Sequence, residues 1–128
     1  MRWIVDGMNV IGTRPDGWWR DRRAAMAALV DKLEYWVENG GDAVSADVTV
    51  VFEQPPKPPI HSAVVTVAYA PKAAANSADD EIFRLVQADD RPPDIRVVTS
   101  DNALSERIQA AGASVYPAAT FRDVIDPF

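Results

Sequence analysis

Short, nearly unbroken apolar runs recur along this chain, and that pattern restricts the fold more than any other feature. Trp3-Ile4-Val5, Val48 to Phe52, Val64 to Tyr69, Ile95 to Val98 and Ser114-Val115-Tyr116 read as strands, most of them rich in β-branched residues. Between them the period changes. Met26, Leu29, Val30, Leu33, Trp36 and Val37 recur at steps of one, three and four, as one face of a helix running from Asp21 to Gly40-Gly41 requires. Ile82, Phe83, Leu85 and Val86 form a second such face after Ser77. A third helix is expected over Asn102 to Ala111, closed by Gly112, and a final helical turn over Phe121 to Ile125. Strands without polar alternation, interleaved with helices, indicate a parallel sheet covered on both faces, an α/β fold. One connection stands apart. Pro55, Pro56, Pro58 and Pro59 make a stiff segment with no helix, short for a parallel crossover, so the third strand is either a hairpin partner or a parallel neighbour of the second. With 128 residues, no internal repeat and no break in composition, a single domain over 1–128 is expected.

Three of the strands run into an acid: Asp6 after the first, Glu53 after the second, Asp101 after the fourth. Ligands of open parallel sheets bind outside the carboxyl ends of the strands, and neighbouring strands lie about 5 Å apart, so these acids are expected to converge on one edge. Asp79 and Asp80, in the first turn of the helix after Ser77, reach the same edge if that helix is a right-handed crossover. Gathered carboxylates repel one another or titrate high. A hard divalent cation resolves the conflict, because Mg²⁺ and Mn²⁺ take carboxylate oxygens and can activate water against a phosphodiester. Each acid also has a plain structural reading. Asp101 or Asn102 can cap its helix, and Ser77 with Asp80 matches a capping box.

Composition narrows the chemistry. There is no cysteine and a single histidine, His61, which removes thiolate chemistry, a histidine relay and a histidine zinc site. The formal charge of −6 argues against binding nucleic acid or anionic membrane through a broad basic face. No apolar stretch approaches the roughly 20 residues of a membrane span, and the run at the N-terminus is too short for a signal peptide, so a cytoplasmic protein is expected.

Four segments match a known pattern. Trp3-Ile4-Val5-Asp6-Gly7-Met8-Asn9-Val10-Ile11-Gly12 resembles the strand and D-G-x-N-x-I-G opening of NYN domains. Val50-Val51-Phe52-Glu53 is similar to their V-V-F-D, Ser77-Ala78-Asp79-Asp80-Glu81-Ile82 to their A-D-x-x-I helix start, and Val97-Val98-Thr99-Ser100-Asp101 to their V-x-T-S-D. They occur in the family's order, the resemblance extends over nearly the whole chain, and the nearest branch is the YacP-like NYN group of the PIN-like nuclease superfamily. The resemblance implies a three-layer α/β/α sandwich around a mainly parallel sheet of about five strands. It also implies a Mg²⁺- or Mn²⁺-dependent endoribonuclease that hydrolyses RNA phosphodiesters in line, leaving 5′-phosphate and 3′-hydroxyl ends. By position, Asp6, Asp79 and Asp101 would be the core metal-binding acids, and Asn9 would orient phosphate or water beside them. Glu53 stands where the family has Asp, as a ligand or an outer acid, and Asp80 is an auxiliary ligand or a cap. The chain also stops soon after its fifth strand, without the C-terminal extension of some relatives.

Ser100 and Asn102, on either side of Asp101, are expected to face substrate. Arg14, Arg20, Arg22 and Arg23 cluster with Trp18 and Trp19, and positions 14–23 carry a local charge of +2. Arginines pair with phosphate and aromatics stack on unpaired bases. The other reading is that the tryptophans staple the loop to the sheet while the arginines are solvated. Lys72, before Asp79, is a further possible contact. Without the five acids of the expected site the charge of −6 would stand at −1, so the acidity is concentrated where a metal would neutralise it. RNA binding is then expected to be transient or assisted by a partner, a ribosome or another protein. The alternative is a non-catalytic RNA-binding or adaptor module. A phosphatase is disfavoured, since Asp6-Gly7-Met8-Asn9 has no second acid, and a P-loop is absent.

Overall fold

Strands that are apolar on both sides must be buried on both sides. The computed structural model, which describes residues 1–40, 47–71 and 77–127, meets that demand with one five-stranded sheet. Strands β1 (Arg2–Asp6), β2 (Asp47–Phe52), β3 (Thr66–Tyr69), β4 (Ile95–Val98) and β5 (Ser114–Tyr116) lie in the order β3-β2-β1-β4-β5, and every pairing is parallel. Helices α1 (Gly7–Ile11), α2 (Arg22–Glu38), α3 (Ser77–Ala88), α4 (Asn102–Ala110) and α5 (Ala118–Ile125) cover the two faces.

Alternation along β1 divides the core in two. Trp3 and Val5 join Val50 and Phe52 beneath α1, α2 and α5, where Leu29, Leu33 and Phe121 close the layer. Ile4 points the other way and joins Val51 and Val97 beneath α3 and α4, against Ile82, Val86, Leu104 and Ile108. The result is the expected α/β/α sandwich. Trp36 belongs to the first core. Its ring meets Trp3 edge-on at 5.3 Å, and Trp3 stacks on Phe121 at 5.4 Å. Among the described residues no helix is long and apolar enough to cross a membrane.

The structure decides the alternative left open for the third strand, shortens that strand, and adds a helix after the first. The proline segment is a crossover and not a hairpin, since β3 pairs parallel to β2 with Phe52 opposite Tyr69. Val64 and Val65 stay outside β3 because their amides both donate to the Ser62 hydroxyl, which takes them from the sheet ladder. The chain leaves β1 directly into α1, a helix that the sequence reading does not include. A short 3₁₀ turn at Trp18–Arg20 precedes α2, whose first amides are capped by the Asp21 side chain accepting from Ala24 N at 3.0 Å.

Because all strands run the same way, their carboxyl ends share one edge. Asp6 ends central β1, Glu53 follows β2, and Thr99-Ser100-Asp101 follows β4. Entry into α1 depends on Gly7. A Cβ there would stand 2.7 Å from Phe52 Cδ1 and nearer still to Cε1, while Val50 closes the other side. Phe52 is fully buried, so its ring would have to shift within the core to admit that methyl group. Gly7→Ala is therefore expected to destabilise the protein by roughly 1–3 kcal/mol, the usual cost of forcing a methyl group into a filled core. Urea denaturation measures it, and an unchanged midpoint would contradict this packing.

Candidate active site

Asp6 is the buried member of the acidic edge, with only 6% of its surface exposed. It sits at the α1 entry without making a capping hydrogen bond to that helix. Its Oδ2 instead accepts from the Thr99 hydroxyl at 3.0 Å, and the Thr99 oxygen in turn accepts from the Asp101 amide at 3.2 Å. The turns after β1 and β4 are thus joined through one hydroxyl. A second tie runs alongside: Asn9 Oδ1 accepts from the Ser100 amide at 2.8 Å. Ser100 is held in turn by its own oxygen, which accepts from Ala118 N at the start of α5.

The electrostatics follow from this geometry. Burial pushes the Asp6 carboxyl up to about 7, from an ordinary value of 3.8. The Thr99 hydroxyl and the Asn9 backbone amide oppose that rise, while the charges of Asp79 and Asp101 add to it. Asp79, half-buried in the first turn of α3, is also raised. Burial leads there too, followed by Asp101; Arg107 pulls the other way, and Asp80 and Glu53 contribute less. Asp6, Asp79 and Asp101 therefore feel one another across the edge, with Glu53 at its margin.

The remaining acids are partly engaged. Asp101 uses Oδ1 to cap α4, accepting from Leu104 N at 2.9 Å, so the capping reading and membership of the acidic edge hold together. Asp80 is mostly exposed and pairs with Arg107 at 3.0 Å. Among the described residues no three of these carboxylates are gathered tightly enough to hold an ion as they stand. The donor set itself suits a hard divalent cation, being carboxylate oxygens with a buried charge in need of a counter-ion.

The expected substrate contacts are dispersed. Arg14 is drawn to α5, where it pairs with Asp123 at 3.0 Å and Asp126 at 3.4 Å. Trp18 packs against the first core, which favours the stapling reading for that ring, while Trp19 is half exposed beside it. Arg22 lies over Trp18 at 5.3 Å, Arg23 Nε donates to Pro58 O, and Arg20 is exposed. Asn102 opens α4 at the surface, and Lys72 lies outside the described residues. Sequence reasoning missed Thr99 as a site residue. Its signal was a polar side chain closing the apolar run Val97-Val98, a place where a buried hydroxyl needs a partner.

A parallel α/β/α sandwich with acids at the carboxyl ends of β1 and β4, together with the family and structural matches that follow, points to a nuclease-type fold associated with RNA processing. The chain belongs to the YacP-like NYN domain family, which it matches over residues 3–127. Two solved structures of Rae1 (YacP) from Bacillus subtilis share the fold. A point-mutant form is 27% identical with a TM-score of 0.73, over 99% of this chain and 77% of that one. The other is 27% identical with a TM-score of 0.71, over 99% and 76%. A comparison with curated proteins finds no match.

A carboxyl raised by folding favours the native state only while it carries its proton. The Asp6 contribution is complete below pH 4 and is lost as pH rises through about 7. In EDTA, Asp6→Asn is thus expected to be more stable than the wild type at pH 8, with the gap closing towards pH 4. Paired thermal melts across that range measure it, and a gap independent of pH would contradict the burial argument.

Proposed function

We propose that this protein is an endoribonuclease that hydrolyses RNA phosphodiester bonds with the help of Mg²⁺ or Mn²⁺ held by Asp6, Asp79 and Asp101. The observation that carries this reading is the buried Asp6 carboxyl, raised to about 7 beside two further acids at the sheet edge where α/β folds bind ligands. A buried acid perturbed by desolvation and by neighbouring charges at a ligand-binding edge is a candidate functional group. Glu53 and Asp80 stand at the periphery, as outer acids. When bound, the ion would act as a Lewis acid on the phosphoryl group and lower the pKa of a water molecule.

The chain's own side chains have defined tasks in this reading. Thr99 fixes the Asp6 carboxylate, so that Asp6 and Asp101 move as one unit. Asn9 has its carbonyl oxygen committed to Ser100, which leaves its NH₂ end to donate to a phosphate oxygen. Neither a cysteine nor a histidine relay is needed, in keeping with a chain that has no cysteine and one exposed histidine. Affinity for RNA is expected to depend on the divalent ion, since the net charge of −6 opposes a polyanion. A second macromolecule that presents the RNA, such as a ribosome or another protein, fits the same charge argument.

A non-catalytic RNA-binding module is the second reading. It is favoured by one observation, the lack of a closed three-acid cluster among the described residues. Cleavage of single-stranded RNA in Mn²⁺ separates the two. Asp6→Asn and Asp101→Asn are each expected to lower the rate by more than the roughly 10–100-fold that losing a support of a metal ligand costs. EDTA should abolish turnover in the wild type. RNA binding without turnover in any divalent metal, or full activity in both variants, would refute the nuclease reading.

A further inference from the structure

Beside the acidic edge lies a cavity of about 120 Å³ that none of the tasks above employs. One water needs only about 10–15 Å³ of such space, so the cavity admits something larger. Its position is set by Gly7: the close approach of α1 to β2 puts Met8 over Phe52, immediately after Asp6. Met8 and Met26 supply adaptable thioether walls, and the Phe52 side supplies an apolar floor. Glu53 lines this space and directly follows β2 at the acidic edge. Arg22 and Arg23 complete the lining. Arg22 is steadied over the Trp18 ring, and Arg23 is tethered through Nε to Pro58 O at 2.9 Å, which leaves its terminal amino groups to donate.

We propose that this cavity takes one unpaired nucleobase of the RNA next to the bond being cut, and that Glu53 selects guanine. The inference rests on the nuclease reading and deepens it. Apolar walls fit the faces of a base, sulfur tolerates contact with an aromatic ring, and two arginines match the phosphates that enter and leave with the nucleotide. A carboxylate accepts hydrogen bonds only. Guanine offers it two donors side by side on one edge, N1–H and N2–H, whereas uracil offers one. On this account Glu53 is chiefly a reader of the base and not a metal ligand, which agrees with its place at the margin of the acidic cluster.

The chain's three methionines make the test direct. With methyl-labelled methionine, titration of GMP is expected to shift the Met8 and Met26 methyl signals saturably. Met1, at the opposite end of β1, stays still and serves as the control. UMP should bind more weakly by at least about tenfold, the discrimination that one good bidentate pair gives. Glu53→Gln should erase that preference without altering the spectrum of the free protein. In a cleavage assay on oligonucleotides that differ in one base, the ratio of guanine to uridine rates should fall towards one in the same variant, whatever its overall rate. Absence of GMP shifts, equal shifts for GMP and UMP, or an unchanged ratio of guanine to uridine rates in Glu53→Gln would overturn the proposal. GMP shifts in a protein that cleaves no RNA would instead remove the nuclease reading and leave the base site standing.

Discussion

A carboxylate taken out of water at the end of the central strand is the most demanding feature of this molecule. Charge in a buried site is costly unless it is paired, hydrogen-bonded or protonated. Asp6 has one hydroxyl donor and two like-charged neighbours, so its proton is retained to about pH 7. Much of the surrounding architecture exists around that side chain. Thr99 reaches it from β4, Asn9 ties the two turns together, and Ser100 links them onward to α5. Removing the charge would stabilise the fold above neutral pH, which is the behaviour of a group kept for its chemistry and not for its contribution to folding.

The same edge depends on a second constraint, the contact between Gly7 and Phe52. Only a residue without a side chain lets α1 begin directly after Asp6 and lie this close to β2. That approach places the buried acid, the base-sized cavity and Glu53 within one neighbourhood. Acid chemistry and base recognition would then be two consequences of a single packing decision. Arg122 supports it from the far side, donating to the carbonyls of Val10 and Ile11 at the end of α1 and pairing with Asp16.

Much of this is legible in the amino-acid sequence alone. Runs such as Val48 to Phe52 and Ile95 to Val98 have no polar alternation, and their interleaving with helical periods such as Met26 to Val37 gives the α/β class. The convergence of Asp6 and Asp101 follows from strand direction. The direction of β3 was not legible, because proline removes amide donors in a hairpin and a crossover alike, and the Ser62 hydroxyl that sets its start is a tertiary detail. Asp101 shows why single-residue readings stay open in a sequence: the two oxygens of one carboxylate allow a helix cap and a place on the acidic edge together. The arginines at 14–23 look alike in the sequence yet divide in space. Arg14 goes to α5, whereas Arg22 and Arg23 face the cavity.

The account stands on the idea that Asp6 is held in reserve for a cation. Carbon-detected NMR of the Asp6 carboxyl, titrated with pH in EDTA and again in millimolar Mg²⁺, examines that idea at the atom concerned. The account predicts a midpoint near 7 without the ion and a fall towards the ordinary aspartate value with it. A midpoint near 3.8 in EDTA, or one near 7 that Mg²⁺ leaves unmoved, would contradict it.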